Sequence, residues 1–172
     1  VSATELAPGK HDVEIIAPKP GDEVVGAAVA PDEAEIVFVA SDAQLLRFEA
    51  SAVRPQGRAA GGMAGIRLSD GAEVIHVAVV TDPDAAEVVT VAGSSSVLAG
   101  ADAGSGKVSA FAEFPPKGRA TGGVRAQRFL RGEDALTLAW VGVEPRAVGA
   151  DGSTRALPAS GAKRDASGQT ID

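Results

Sequence analysis

Pro55-Gln56-Gly57-Arg58-Ala59-Ala60-Gly61-Gly62 and Pro116-Lys117-Gly118-Arg119-Ala120-Thr121-Gly122-Gly123 are two copies of one pattern. Each sets a Gly-Arg pair and a Gly-Gly pair around two small residues, then runs through a basic, apolar stretch into a strand-like segment. Beyond them, Ile66-Arg67-Leu68, the turn Ser69-Asp70-Gly71 and the run Glu73 to Val80 match Arg128-Phe129-Leu130, the turn Arg131-Gly132-Glu133 and the run Ala135 to Val141, Gly71 and Gly132 lying 61 residues apart. An earlier version, Val13 to Ile16, then Pro18-Lys19-Pro20-Gly21-Asp22, then Glu23 to Ala30, precedes them by 50 residues, counted from Gly21 to Gly71.

Further strands repeat between these. Glu35 to Ala40 with Leu45 to Phe48 matches Glu87 to Ala92 with Val97-Leu98, each pair parted by four small or polar residues that suit a hairpin. A fainter copy is Arg146 to Gly149 with Arg155 to Leu157 around Asp151-Gly152. Each unit therefore reads hairpin, loop, Gly-Arg motif, strand, turn, strand. Units span 31–80 and 81–142, with partial units at both ends. The surplus of the second unit falls in Ala99 to Lys107, and the polar stretch 159–172 is expected to be a poorly ordered C-terminal tail beyond a folded 1–158.

No helical period is sustained, and Gly and Pro punctuate the chain about every ten residues. Short strands in units of roughly 50 residues predict an all-β repeat architecture, each unit one small sheet or blade. The 172 residues suffice for one domain with a core. There is no cysteine, hence no disulfide or thiolate metal site, which fits a cytosolic address. Val24 to Ala30, Val74 to Val80 and Ala135 to Val143 fall far short of the roughly 20 apolar residues of a membrane helix, so no membrane partner is expected. Val1 in place of Met suggests a piece of a longer protein.

Charge is unevenly placed. Residues 1–50 hold ten acids against three bases, an excess equal to the whole chain's net charge of −7. The basic residues Arg54, Arg58 and Arg67, and Lys117, Arg119, Arg125, Arg128 and Arg131, lie in two stretches, 54–68 and 115–132, without a single acid. Glycines alone would serve a tight corner between blades, but that leaves the unopposed cations unexplained. An arginine on a glycine-flanked loop reaches phosphate with a bidentate fork while the bare backbone comes close. These eight side chains are the candidate DNA-binding set. With few aromatics to stack on bases, contact is expected with the duplex backbone and not with sequence. A propeller-like module for protein contact, using the acidic N-terminal third, is the competing reading.

Other constellations are weaker. Gly100 to Lys107 lacks the Gly and the Ser or Thr of a phosphate loop and precedes a strand-like run. His76 with Ser94, Ser95 or Ser96 and Asp82 or Asp84 lacks the sharp turn that presents a nucleophile. No metal-ligand spacing emerges.

Val53-Arg54-Pro55-Gln56-Gly57-Arg58 with Gly61-Gly62 and Gly65-Ile66-Arg67-Leu68, and Pro116 to Arg125 with Arg128-Phe129-Leu130-Arg131-Gly132-Glu133-Asp134, resemble the C-terminal domain of the A subunit of bacterial type IIA topoisomerases, that is, DNA gyrase and topoisomerase IV. The resemblance implies a β-pinwheel, a propeller-like ring of four-stranded blades whose neighbours exchange strands, with double-stranded DNA bent around its basic rim. It implies a non-catalytic module of a larger isomerase. Cleavage by a catalytic tyrosine, and ATP hydrolysis with magnesium, would lie on other domains, and this chain contains no Tyr. The implied partners are an ATPase B subunit together with the rest of a dimeric A subunit, in the cytoplasm at the nucleoid. The family's ring usually has five or six blades, more than this chain supplies. Of the gyrase box Gln-Arg-Arg-Gly-Gly-Lys-Gly, Gln56 to Gly62 keeps the first, third and last residues, a departure that points towards topoisomerase IV.

Overall fold

A computed structural model describes residues 1–2, 14–57, 60–97 and 104–171. Among the described residues ten strands run in chain order: β1 (Glu35–Ala40), β2 (Gln44–Glu49), β3 (Val74–Val80), β4 (Glu87–Gly93), β5 (Ser105–Ala110), β6 (Val124–Arg125), β7 (Ala135–Gly142), β8 (Ala147–Val148), β9 (Thr154–Arg155) and β10 (Gln169–Thr170). They form two four-stranded antiparallel sheets, ordered β3-β1-β2-β6 and β10-β5-β4-β7, and the small hairpin β8-β9.

The two sheets are built alike. In blade one, β1 lies between β2 and the inner strand β3, with Val37 opposite both Arg47 and Ala78. In blade two, β4 lies between β5 and the inner strand β7, with Val89 opposite both Val108 and Trp140. A β-bulge interrupts the inner pairing at Val39/Ala40 in one blade and at Val91/Ala92 in the other, the same place in each repeat.

The outer strand of each blade comes from further along the chain. β6 follows β5 in sequence yet pairs with β2, Leu45 opposite Val124, and β10 pairs with β5, Gly106 opposite Gln169. This is the exchange the family resemblance implies; no periodicity announces it, because two-residue strands carry none. Residues 159–171, expected to be a loose polar tail, instead pack on blade two and end in its outer strand.

Several expected strands are corrected, among them Ile66-Arg67-Leu68 and Arg128-Phe129-Leu130, which belong to no strand. The partner of β4 is Ser105–Ala110 and not Val97-Leu98, since the link that spans three residues in blade one, 41–43, spans eleven in blade two, 94–104. Residues 14–30 contain no strand and are exposed throughout. The expected runs Val13 to Ile16 and Glu23 to Ala30 have the β-branched residues of a strand but no neighbour to pair with; Val13, like Leu98, lies outside the described residues.

The core lies between the blades. Val37, Val39 and Leu45 of blade one meet Val88, Ala92, Leu136 and Val141 of blade two, and Phe111 and Phe114, from the turn after β5, fill the space with no exposure at all. Burial of each such side chain contributes about 1.5–3 kcal/mol. Arg47 spans the junction: its guanidinium stands 4.4 Å from the Phe111 ring centre, and its Nε is 3.4 Å from Glu35 Oε2.

Two further bonds cross between blades. Leu136 N–H of β7 donates to Ser41 O in the turn of blade one (2.7 Å), and Val141 N–H of β7 donates to His76 Nε2 of β3 (3.2 Å). The second bond requires a neutral imidazole protonated at Nδ1, and burial lowers the His76 pKa below its ordinary 6.5. Between 6.5 and that lowered native value the unfolded chain takes up a proton that the folded chain refuses. The stability His76 contributes is therefore whole above 6.5 and is lost as pH falls towards the native value. Urea unfolding of the parent and of His76→Gln should diverge between pH 7.5 and pH 5, the parent losing more stability than the variant. Parallel profiles would contradict this assignment.

Candidate nucleic-acid interface

The second copy of the motif forms a strap that leads into β6. Its backbone is pinned on one side to blade one, Lys117 N–H donating to Arg47 O (3.0 Å) and Ala126 N–H to Ala43 O (2.7 Å). On the other side it is pinned to residues 64–67, through Ala120 N–H to Gly65 O (2.6 Å) and Arg67 N–H to Thr121 O (3.0 Å). Gly123 has φ +70°, and a Cβ there would stand 2.5 Å from Leu45 O, so only glycine lets the strap enter its strand.

A third copy exists that the sequence pattern hides. Residues 161–168 leading into β10 reproduce the same bonds 45 residues later: Ala162 N–H to Val108 O (3.0 Å), Ile171 N–H to Gly104 O (3.4 Å) and Arg128 N–H to Ala166 O (3.1 Å). Arg164 takes the place of Arg119, and Gly168 that of Gly123. Of the Gly-Arg and Gly-Gly pairs only Arg164 and Gly168 survive; Lys163-Arg164 followed at four residues by glycine was the available signal.

The motif arginines act first on protein. Arg119 Nη1 donates to Ala64 O (2.5 Å), and Arg164 Nη1 donates to Arg125 O (3.5 Å), the equivalent carbonyl one repeat on. Both are partly buried. The structural role that glycine alone suggested thus extends to these arginines, each directing one donor of its fork at the neighbouring repeat.

Around them stand the exposed cations. Arg67 lies beside the second strap, its Nη2 3.9 Å from the position of a Cβ on Gly122, and Arg128 Nε donates to Ser167 Oγ (3.3 Å) of the third. Lys117 Nζ closes its own loop on Gly123 O (2.9 Å). Arg54, Arg67, Lys117, Arg125, Arg128, Arg131 and Lys163 are all exposed. Among the described residues, none of these seven, nor Arg119 or Arg164, forms an ion pair; the ion pairs present join Arg47 to Glu35, Arg146 to Glu144 and Arg155 to Asp151. Two clusters result, Arg67, Lys117 and Arg119 on the second strap, and Arg125, Arg128, Lys163 and Arg164 on the third. Arg54 stands apart, beside residues 15–16 and 28–30 in a cavity of about 340 Å³, and Arg131 sits on its turn. Arg58 lies outside the described residues.

The other candidates are accounted for by structure. Lys107 is buried, its ammonium donating to the carbonyls of Lys163 (2.8 Å), Arg164 and Ala166 (3.3 Å), so it anchors the third strap and faces no phosphate. Residues 100–103 of that loop lie outside the described residues. His76 is occupied by Val141 N–H, Ser95 donates through both N–H and Oγ to Asp134, and the Ser94 and Ser96 hydroxyls pair with each other. No triad forms among the described residues. Nor, among them, is any group of three His, Asp or Glu placed to hold a metal.

A family model described as DNA gyrase C-terminal domain, beta-propeller, matches residues 34–81 and 95–138, just over half of the chain. The chain belongs to the DNA gyrase C-terminal domain family. The A subunit of DNA gyrase from Deinococcus deserti is 35% identical over 108 residues, which are 62% of this chain and 12% of that protein. The topoisomerase subunit TopoM of Mycolicibacterium smegmatis is 37% identical over 117 residues, 67% of this chain and 15% of the relative. The chain thus spans a small fraction of the length of its curated relatives. The crystal structure of the C-terminal domain of DNA topoisomerase IV superposes with a TM-score of 0.75 at 20% identity, over 91% of this chain and 48% of that one. The DNA gyrase A C-terminal domain gives 0.69 at 17%, over 92% and 53%. The family's propeller of exchanged-strand blades is the fold seen here.

Burial holds the Lys107 pKa down at about 8, yet three carbonyls depend on that ammonium. Lys107→Met should take the ammonium from the Arg164 carbonyl, at a cost of about 1–3 kcal/mol if no water replaces it, and one of two donors from the carbonyls of Lys163 and Ala166, which keep Ala166 N–H and Arg128 N–H. Hydrogen exchange at Ala162, Arg128 and Ile171, the amides that hold the third strap, should then rise well above that of Lys117 and Ala126 on the second. Equal protection of the two straps would refute the anchoring role.

Proposed function

We propose that this chain is a DNA-binding module that bends or wraps duplex DNA for the A subunit of an ATP-hydrolysing type IIA topoisomerase. In that role it serves the control of DNA topology, by supercoiling, relaxation or decatenation, in the cytoplasm at the nucleoid. The observation that carries the reading is the pair of straps, repeated blade after blade, each presenting exposed cations with no carboxylate partner on a backbone fixed from both sides. An overall charge of −7 opposes binding to a polyanion at long range. Local contact overcomes it where several cations stand together and release counterions from one stretch of duplex.

The curated relatives are named as gyrase and topoisomerase subunits, which supports placing the module within such an enzyme, beside an ATPase B subunit and the rest of a dimeric A subunit. Strand cleavage through a tyrosyl-DNA bond would fall to those other parts, since this chain has no tyrosine, as would ATP and magnesium. The module itself works by positioning and needs no cofactor.

Arg67→Ala, Arg125→Ala and Lys163→Ala test the interface with little risk to the fold, because their charges are exposed. Each lost phosphate contact should weaken duplex binding by about eightfold at 0.1 M salt, and by the same factor on unrelated DNA sequences. Arg119→Ala should lower both binding and stability, since it also frees Ala64 O. Unchanged affinity in all three exposed variants, measured by fluorescence anisotropy, would overturn the reading.

A further inference from the structure

Blades one and two, built on the same register, differ in the chemistry of one face. In blade one that face carries Phe38 of β1, opposite Leu46, and Phe48 of β2, opposite Ile36. In blade two the equivalent pairs are Thr90 opposite Lys107 and Ser109 opposite Val88, so three apolar side chains give way to three polar ones. All three are buried, Thr90 and Ser109 at 0% and Lys107 at 2% exposure. The Thr90 and Ser109 hydroxyls find no protein partner. Lys107 does, donating to the carbonyls of Lys163 (2.8 Å), Arg164 and Ala166 (3.3 Å).

Packing gives no reason for a lysine here, since blade one fills the same place with the buried Leu46. Burial works against the charge, lowering the Lys107 pKa from 10.5 to about 8. What the ammonium gains is a grip on the strap, and the carbonyls it holds include those of Lys163 and Arg164, the two cationic residues of that strap. The second strap has other fastenings: Ala120 N–H donates to Gly65 O (2.6 Å), Thr121 Oγ1 to Gly118 O (2.7 Å) and Arg119 Nη1 to Ala64 O (2.5 Å). On the third strap Asp165, in the place of Ala120, makes no such backbone bond among the described residues, and Arg164 Nη1 stands 3.5 Å from Arg125 O. Its hold on blade two therefore leans on Lys107.

We infer that Lys107 is a positioning residue for the DNA contact, an inference that rests on the DNA-binding reading given above: by gripping the backbone of Lys163 and Arg164, its ammonium sets their side chains beside Arg125 and Arg128, so that the third strap meets one stretch of duplex as a unit. Loss of that charge frees Lys163 and Arg164 from the cluster. Arg125 stays in β6, and Arg67, Lys117 and Arg119 stay on the second strap. The charged groups around Lys107 are Lys163, Arg164 and Asp165 of the strap, Glu113 of the turn after β5, and Arg146 and Arg155, which line a cavity with it. Asp165 and Glu113 raise its pKa and Arg164 lowers it, each less than burial does. Neither carboxylates nor guanidinium groups titrate between about pH 7 and 9. Lys107 gives up its proton in that window, so the grip weakens as pH rises through about 8.

Duplex affinity, measured by fluorescence anisotropy, tests this in a double-mutant cycle. Lys163→Ala should weaken binding by about eightfold at 0.1 M salt in the parent, and hardly at all in Lys107→Met. Arg67→Ala, on the second strap, should cost about eightfold in both backgrounds. Lys107→Met by itself should flatten the log-log salt slope by up to about 1.8, the share of two phosphate contacts. The parent's affinity should also fall towards that of Lys107→Met between pH 7 and pH 9 while the variant's stays level, a profile that a general loss of stability does not produce. If the variant fails to fold, the parent's pH profile decides the matter without it. An eightfold loss for Lys163→Ala in Lys107→Met, or a parent profile that is level from pH 7 to pH 9, would overturn the inference and leave the DNA-binding reading standing. A parent whose affinity does not respond to salt would overturn both.

Discussion

Each blade is closed by a strand that the following repeat donates, and the structure depends on that exchange of backbone. It works only where the arriving strap comes close to a strand already paired on its other side. At Gly123 the backbone turns left-handed with Leu45 O where a Cβ would stand; at Gly168 the space is taken by Ser105 and the buried Gln127. Gln127 Nε2 in turn donates to both Ser105 O and Oγ, fixing the start of β5 from the strand-exchange side. Because a strap that belongs to one repeat is hydrogen-bonded to the repeat before it, neighbouring blades cannot separate without breaking backbone pairing, and Phe111 and Phe114 stay buried between them.

That constraint also orders the charges. A strap pinned from both sides has its backbone fixed, so the cations it carries recur with the repeat. Arg119 and Arg164 each direct one nitrogen to a carbonyl of the preceding repeat, tying the strap to it. Lys107 shows the opposite use of a cation. At the position of Leu46 in blade one, it turns inward and binds three carbonyls of the third strap, replacing with charge-assisted bonds what the second strap achieves with glycines.

Much of this was legible in the sequence. The doubled Gly-Arg motif and the turn glycines at 71 and 132 carry the repeat, because left-handed backbone and close approach leave few alternatives to glycine. The strands with four or more alternating or β-branched residues were legible for the same reason. Strand exchange came only with the family resemblance and from no periodicity, since β6 and β10 are two residues long and their pairing is set by the strap. The hairpin of blade two was misplaced because an eleven-residue link replaces three, and Val97-Leu98 offered a nearer apolar pair. The run 23–30 reads as a strand and has the composition of one, but a strand also needs a neighbour. Lys163 and Arg164 escaped because Lys107 does the work of the glycines that would have marked them.

Whether the straps bind duplex phosphate is decided by the affinity of the unmodified chain for a duplex of random sequence across a salt series. If four or more strap cations each neutralise a phosphate, log affinity should fall against log salt with a slope of about −3.6 or steeper, and the slope should be the same for a second, unrelated duplex. A flat response, or binding that persists unchanged at high salt, would contradict phosphate contact by the straps.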